Sequence, residues 1–516
     1  MSFAYALLAL SLISPRQAPP GAQLHIRLTT AVSSYASRAG DPVSAVLIAP
    51  VTFGFTVAPS LSEQIILPRG SVVSGTVKSV QRVGLGLRHE NAAFDLEFTS
   101  VTLPNGDRFS ISCRVLEVDT GREQVASDGS IRGARPTGTL SYRTGGYIRT
   151  ALQWQPQLAA ASWAIKTLLL QVPEPELFYP AGVELTLALT QPLLAPLAAV
   201  PAVQTQSSSP VSGGQPASGD ERARLAEIAA AMPMRTHTLS PGRPDRNRPS
   251  DLTNLLFIGS REQLTVAFEA AGWTQPDSPG MRTNIRRIRA VAEGHGHANA
   301  GMSLLAVEGF APDMAWQKGF NDVSKRHHLR IWKQPETWYG RETWIAAATR
   351  DIDFAYWRPG HSITHKIDEN IDEEREKVVN DLVFTSCAAL LESYERPDVP
   401  TVARNATGDP MKTDTRLAIV ELRECNPPSY LSRDDGPILP RHGRGIQRFA
   451  RREILSLRND LLRGNLYWRI YEGIRWTAVW THQRRGTAND GPPARPATAI
   501  LGLDSHRSRA VREMLQ

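Results

Sequence analysis

Arg326-His327-His328-Leu329-Arg330-Ile331-Trp332, followed by His361, by Thr364-His365-Lys366-Ile367-Asp368 and by Asp372, is the stretch around which this chain is organised. Side chains alternate along a strand, so Arg326, His328, Arg330 and Trp332 fall on one face and His327, Leu329 and Ile331 on the other. Adjacent histidines are thereby split. If residues 363–367 form a second strand, His365 shares a face with Ile363 and Ile367. Pairing of the two strands then brings either His327 to His365 in the core or His328 to the arginines, and both arrangements stay open. Residues 370–384 read as a helix with Ile371, Val378, Val379, Leu382 and Val383 as its apolar stripe. Asp372, Glu373 and Glu374 suit the positive end of its dipole.

Working outward, residues 252–258 are an apolar run of buried-strand type. Gly259-Ser260 then opens a helix over 261–271 with Leu264, Phe268 and Ala271 on one face. Strands are expected at 304–307 and 343–349. The sum is an α+β domain over residues 250–396.

Three chemistries can be assigned to the histidine stretch. His327, His361, His365 and Asp368 are the nitrogen and oxygen donors that a divalent zinc or iron cofactor takes, although they lack the fixed spacing of a His-Glu-x2-His helix. Arg326, His328, Arg330 and Lys366 form a basic set whose guanidinium forks suit phosphate. The favoured reading is structural. In it Arg326 and Arg330 pair with Asp368, Asp372 or Glu373, and a satisfied histidine holds strand to helix.

Before this domain, residues 23–195 read as an all-β barrel or sandwich. Short apolar runs at 43–51, 65–67, 72–80, 93–101 and 109–118 alternate with the turn signals Pro68-Arg69-Gly70, Pro104-Asn105-Gly106 and Asp119-Thr120-Gly121. A more helical segment at 149–171, carrying Trp154 and Trp163, is expected to pack into the core. Residues 196–249 are rich in Ala, Pro, Gln, Ser and Gly and read as a flexible linker holding one short helix. Residues 1–22 begin with an apolar run of signal-peptide length, which implies export to the periplasm or cell envelope as a soluble or peripheral protein.

The remaining residues, 397–516, read as a helical, basic C-terminal extension. Between Arg441 and Arg485 eleven arginines face only Glu453, Asp460 and Glu472. Arg448, Arg451, Arg452 and Arg458 lie largely off the apolar stripe, a pattern suited to an anionic membrane surface or an envelope glycan. Export argues against nucleic acid as the partner. Across the whole chain of 516 residues the excess of Lys and Arg, 58 against 51 acids, amounts to a net charge of +7. Such a surplus permits anionic partners without naming one. Cys113, Cys387 and Cys425 show neither zinc-type nor thioredoxin-type spacing and allow one disulfide at most.

Two resemblances follow from phrases rather than from pattern. Asp251-Leu-Thr-Asn-Leu-Leu-Phe-Ile-Gly-Ser260, Ala270-Ala-Gly-Trp273, Arg326 to Trp332, Trp344-Ile-Ala-Ala-Ala-Thr349 and Thr364-His-Lys-Ile-Asp368 through Arg375 together resemble the LssY C-terminal domain over about residues 251–386. That domain is of uncertain biochemical function and occurs in bacterial membrane or envelope proteins, some of which also carry a lipid phosphatase domain. The phosphatase motifs, Lys-x6-Arg-Pro and Ser-Arg-x5-His-x3-Asp, are absent here. Leu67 to Gly75, residues 94–106 and Tyr179 to Leu189 resemble the β-barrel domain of the inner-to-outer-membrane channel protein of type IV secretion systems; in that family an insert at a place comparable to residues 149–171 forms a membrane-facing helical hairpin, although the segment here is too short for two spans and holds Pro156, and core packing stays the favoured reading. The resemblances imply an exported envelope protein acting in binding or assembly. The alternative is a metal- or phosphate-dependent hydrolase centred on the segment from His327 to Asp372.

Overall fold

The computed structural model describes residues 16–55, 62–83, 89–119, 123–169, 176–195, 219–239, 247–276, 302, 305–319, 325–357, 362–425 and 446. The described chain is mostly β and builds two large sheets. In the first, β1 (Gln23–Leu28), β2 (Pro42–Leu47), β3 (Val72–Gln81), β4 (Ala93–Thr102), β5 (Cys113–Val118) and β6 (Glu184–Leu189) run in the order β5-β6-β1-β2-β3-β4, all antiparallel. The sheet nearly closes into a barrel where Ile111 N–H donates to Thr99 O at 3.0 Å. Alternation drives it: Leu24, Ile26 and Leu28 of β1, with Leu185, Leu187 and Leu189 of β6, point into one core. Gly75 sits at a register shift between β3 and β4, where a Cβ would lie 2.0 Å from Glu97 O, so no other residue fits there.

β6 is buried along its whole length, inner and outer faces alike. The cover is the second sheet. Its strands are β7 (Leu255–Ile258), β8 (Met314–Lys318), β9 (Arg326–Trp338), β10 (Arg341–Trp357), β11 (Ser362–Ile367), β12 (Ala388–Glu395) and β13 (Arg416–Leu422). They run β8-β9-β10-β7-β13-β12, with β11 also on β10 and only the β7–β13 pair parallel. Five helices are described: α1 (Leu140–Ala151), α2 (Pro156–Leu169), α3 (Gly219–Ala231), α4 (Arg261–Ala270) and α5 (Ile371–Phe384). The apolar run of β7 is central and serves two cores. Leu255 and Phe257 face α4 and α5, while Leu256 and Ile258 face α3. Ser260 caps α4 in a capping box with Gln263, as the Gly259-Ser260 signal implies.

Several boundaries differ from the sequence reading. Arg16–Ala18 pairs with Leu193–Ala195 in a separate two-stranded sheet and buries Ala18 against the barrel core, within the stretch read as a signal peptide. Residues 1–15 lie outside the described residues. Within the expected linker, α3 buries Leu225, Ile228 and Ala229 against Trp332 and Ile345, and Arg235–Thr238 pairs with Pro249–Leu252. The rest of 196–218 is outside the description. The α+β unit does not end at 396, because β13 lies between β7 and β12 in the middle of the sheet. Of the C-terminal extension beyond 425 only Ile446 is described. Finally, the helical segment is not core: α1 and α2 stand as a hairpin with Trp154 86% exposed at the turn between them.

Candidate functional site

The histidine stretch lies where the two sheets meet. Register places Lys318 of β8, His327 of β9 and Arg350 of β10 in one cross-strand row on one face. The same face receives Glu374, Lys377 and Asp381 from α5, whose spacing of three and four residues aligns them on one side of the helix. Opposite stand polar side chains that alternation turns outward from the barrel, His25 and Arg27 of β1, Glu184 and Thr186 of β6 and Glu117 of β5, with Asp119 just beyond that strand.

These groups interlock across the seam. Glu184 Oε1 accepts from Arg27 at 2.6 Å and from Lys318 Nζ at 2.7 Å, while its Oε2 accepts from Lys377 Nζ at 2.6 Å. Lys318 and Lys377 also donate to Asp381, at 2.8 and 2.7 Å. Arg350 donates to Glu117 at 2.7 Å, and Arg27 donates to Ala271 O at the end of α4 at 3.1 Å. Burial alone would push the Glu184 carboxyl up, but Lys318, Lys377 and Arg27 hold it well below the carboxylate range. Lys377 is raised in turn, since Asp381, Glu184 and Asp119 outweigh its burial.

His327 is held between two carboxylates, one from each side of the seam. Its Nδ1 donates to Glu374 Oε2 at 2.6 Å, and its Nε2 lies 3.3 Å from Asp119 Oδ1. Burial lowers its pKa, yet Glu374 and Asp119 together raise it to about 9, so it is an imidazolium at neutral pH. A raised folded pKa contributes stability that is complete below the ordinary value of 6.5 and lost as pH rises through about 9. We expect wild-type unfolding free energy to fall by roughly 3 kcal/mol between pH 6 and pH 10 through this group, from about 1.4 kcal/mol per pKa unit. Urea unfolding of His327→Gln over the same range should lack that loss; an unchanged pH profile would refute the assignment.

On the opposite face, Asp351 collects the other charges. Arg326 Nε donates to its Oδ2 at 2.7 Å, His328 Nε2 to its Oδ1 at 2.9 Å, and His365 Nδ1 lies 3.5 Å from Oδ2. Burial works against ionisation of Asp351, but His328, Arg326 and His365 keep its carboxyl well below the usual range. Arg330 lies 3.6 Å from Asp251. The arginine partners are therefore Asp351 and Asp251 and not Asp368, Asp372 or Glu373; Asp372 instead accepts from Arg375 at 3.0 Å. Strand β10 explains the difference, since it lies between β9 and β11 and supplies the nearer carboxylate.

Of the expected metal donors, His327 and His365 sit on opposite faces. Asp368 Oδ1 accepts from Asn370 N–H at 3.1 Å, and His361 lies outside the described residues. Among the described residues no group of three His, Cys, Asp or Glu is disposed to hold a metal ion. Of the expected phosphate set, Arg326, His328 and Arg330 are buried beside carboxylates and Lys366 is exposed on its own strand.

What the seam does leave open is a cleft of about 1110 Å³ between the sheets, lined by His25, Glu117, Asp119 and Glu123 from the barrel side and by Lys325, His327, Arg350, Asp368, Glu374 and Lys377 from the other. His25 donates to or accepts from Thr186 at 3.2 Å, and burial lowers its pKa, so it is neutral there. Sequence reasoning missed Arg27, Asp119, Glu184, Lys318, Arg350, Lys377 and Asp381. Two signals were available: a glutamate heading the apolar strand Glu-Leu-Thr-Leu-Ala-Leu, and the Glu374, Lys377, Asp381 periodicity.

Residues 236–417 match the family model described as the LssY C-terminus. The match begins at the strand within the expected linker and ends in β13, in line with the wider boundaries of the second sheet. Among solved structures the chain is similar to ComB10 of the Com type IV secretion system of Helicobacter pylori, at 12% identity over 34% of this chain and 89% of that one, with a TM-score of 0.19. A likeness of that size carries no argument about this fold. No curated protein matches the chain.

Proposed function

We propose that the protein is an exported envelope protein that acts by binding or assembly, with its two sheets working as one body and the seam cleft as the place where a ligand is held. The observation that carries this reading is the use to which the histidine stretch is put. His327 bridges the sheets through Asp119 and Glu374, and Arg326, His328 and His365 share Asp351, so these groups are spent on holding elements together. General acid–base work instead needs a group poised near the working pH, and a divalent metal needs converging free donors. The cleft, at about 1110 Å³, is slightly larger than most small-molecule sites, and its charged lining suits a polar ligand. The family match fits an envelope setting, and a disulfide between Cys387 and Cys425 fits an oxidising compartment. No described helix is long and apolar enough to cross a membrane. Arg448, Arg451, Arg452 and Arg458 would add attraction to an anionic surface or glycan.

Elemental analysis and phosphoester hydrolysis by the full chain, with and without added zinc, iron or manganese, separate this reading from the hydrolase alternative. We expect substoichiometric metal and no metal-dependent turnover. Stoichiometric metal that is lost in His361→Ala or His365→Ala, or turnover that follows the metal, would favour the hydrolase instead.

A further inference from the structure

The seam cleft carries more acid than its own cations use. Seven of its lining residues are Asp or Glu, against Lys325, Arg350, Lys377 and the His327 imidazolium. Each of those cations is already committed. Lys325 and Arg350 donate to Glu117 at 3.2 and 2.7 Å, Lys377 holds Glu184 and Asp381, and His327 lies between Glu374 and Asp119. An anionic ligand would have to compete with carboxylates already in place and would add to a negative surplus. A cationic ligand meets that surplus directly.

Glu374 marks where such a ligand is held. It lines the cleft from α5 and is only 3% exposed; its Oε2 accepts from His327, whereas its Oε1 has no hydrogen-bond partner. A buried carboxylate oxygen without a donor is costly, so a ligand N–H supplied there gains more than one offered to a solvated acid. A single unpartnered oxygen also selects among cations. A guanidinium fork needs two acceptors, and His327 occupies the second; a divalent metal needs three converging donors, which the described residues do not provide. An ammonium is a compact point charge that one oxygen can hold. Ile48, Pro50, Val51 and Leu116 line the barrel side of the same cleft and offer an apolar wall to the carbon chain behind the charge. Glu373 and Glu376 stand exposed on its α5 side.

We infer, on the reading of the cleft as the ligand site, that it binds an alkylammonium group which donates to Glu374 Oε1 and lays its carbon chain against the barrel wall. The group can belong to a free amine or to the lysine side chain of a peptide. The shared chemistry is the same, and the choice of probe separates the two sources.

Calorimetric titration of the full chain at neutral pH with putrescine, with a blocked tripeptide carrying lysine at its centre, and with glutarate tests this. At least one amine should bind and glutarate should not; the amine that binds names the source. Glu374→Gln should weaken that binding about tenfold or more, the scale of a hydrogen bond to a charged group. Because Glu374 also holds His327, a second variant guards against loss of the fold. Glu373→Gln/Glu376→Gln changes only exposed positions, so the urea midpoint should stay while affinity falls about threefold and depends less on salt. Failure of both amines to bind overturns the proposal. Glutarate bound in their place and lost in Arg350→Gln would reverse the charge of the ligand yet keep the cleft as its site. Amine binding that Glu374→Gln leaves unchanged also overturns the proposal, and if the double variant is equally silent the cleft itself is not the site.

Discussion

Replacing Glu184 with alanine is expected to lower the unfolding free energy by about 3–5 kcal/mol, the cost of breaking a buried ion pair from one side. Three cations converge on this carboxylate, Arg27 from its own sheet and Lys318 and Lys377 from the other. Removing it leaves positive charge in a site shielded from water, with only Asp381 and Asp119 to share it. Desolvated cations repel one another there with little screening, so the damage exceeds that of any surface pair. A compensated change should cost less: Glu184→Gln combined with Lys318→Met removes one charge of each sign, and a double-mutant cycle should show coupling between the two positions. Urea unfolding provides the measurement. A Glu184→Ala cost under about 1 kcal/mol, in the range of exposed pairs, would mean that water reaches the seam and that the sheets are not one body.

The pH dependence of the seam has two edges. Glu184 has a depressed folded pKa, so its contribution is complete above the ordinary value of 4.5 and is lost only as pH falls well below it. His327 limits the other side, through about 9. The two contributions are therefore both complete between the ordinary values of 4.5 and 6.5, and the one from His327 declines from there upward.

How much of this was legible in the sequence depends on the distance over which each signal acts. Local signals held. The alternation at Arg326 to Trp332 separated His327 from His328 correctly, and the acid-headed helix from Ile371 to Phe384 carries the apolar stripe that its periodicity gives. The two faces of β7 follow from an unbroken apolar run. What could not be read is which outward-facing barrel residues would be covered. Arg27 and Glu184 look like the solvated face of a half-buried strand, and only contact with a second sheet, formed by residues more than 130 positions away along the chain, buries them. The same holds for Asp351, which nothing local ties to His328. In the hairpin the reading failed for the converse reason. Trp154 and Leu158 look like core residues by composition, and no local rule says that a chain will leave them outside.

Removing the bond between Cys387 and Cys425, by reduction or as Cys387→Ser/Cys425→Ser, is expected to lower stability by about 2–4 kcal/mol. Cys387 is fully buried just after α5, and Cys425 lies just past β13; their Cα atoms are 4.7 Å apart. The ladder brings them there without the bond, because Ala388 pairs with Leu422 and Arg423 N–H donates to Cys387 O at 2.9 Å. Most of the effect should therefore come from the unfolded chain, where the bond closes a loop over a separation of 38 residues, worth about 4 kcal/mol in the chain-entropy account. That account makes a second claim open to measurement. With the bond gone the denatured ensemble exposes more surface, so the urea m value should rise as the midpoint falls. Thiol exchange should not confuse the result, because burial, helped by Glu97, pushes the Cys113 thiol up to about 12 and leaves almost no thiolate at neutral pH. Cys113→Ser should accordingly leave the redox response intact. If the reduced chain unfolds at the same urea concentration as the oxidised one, the bond does not constrain the native end of β13, and the oxidising compartment loses its structural support.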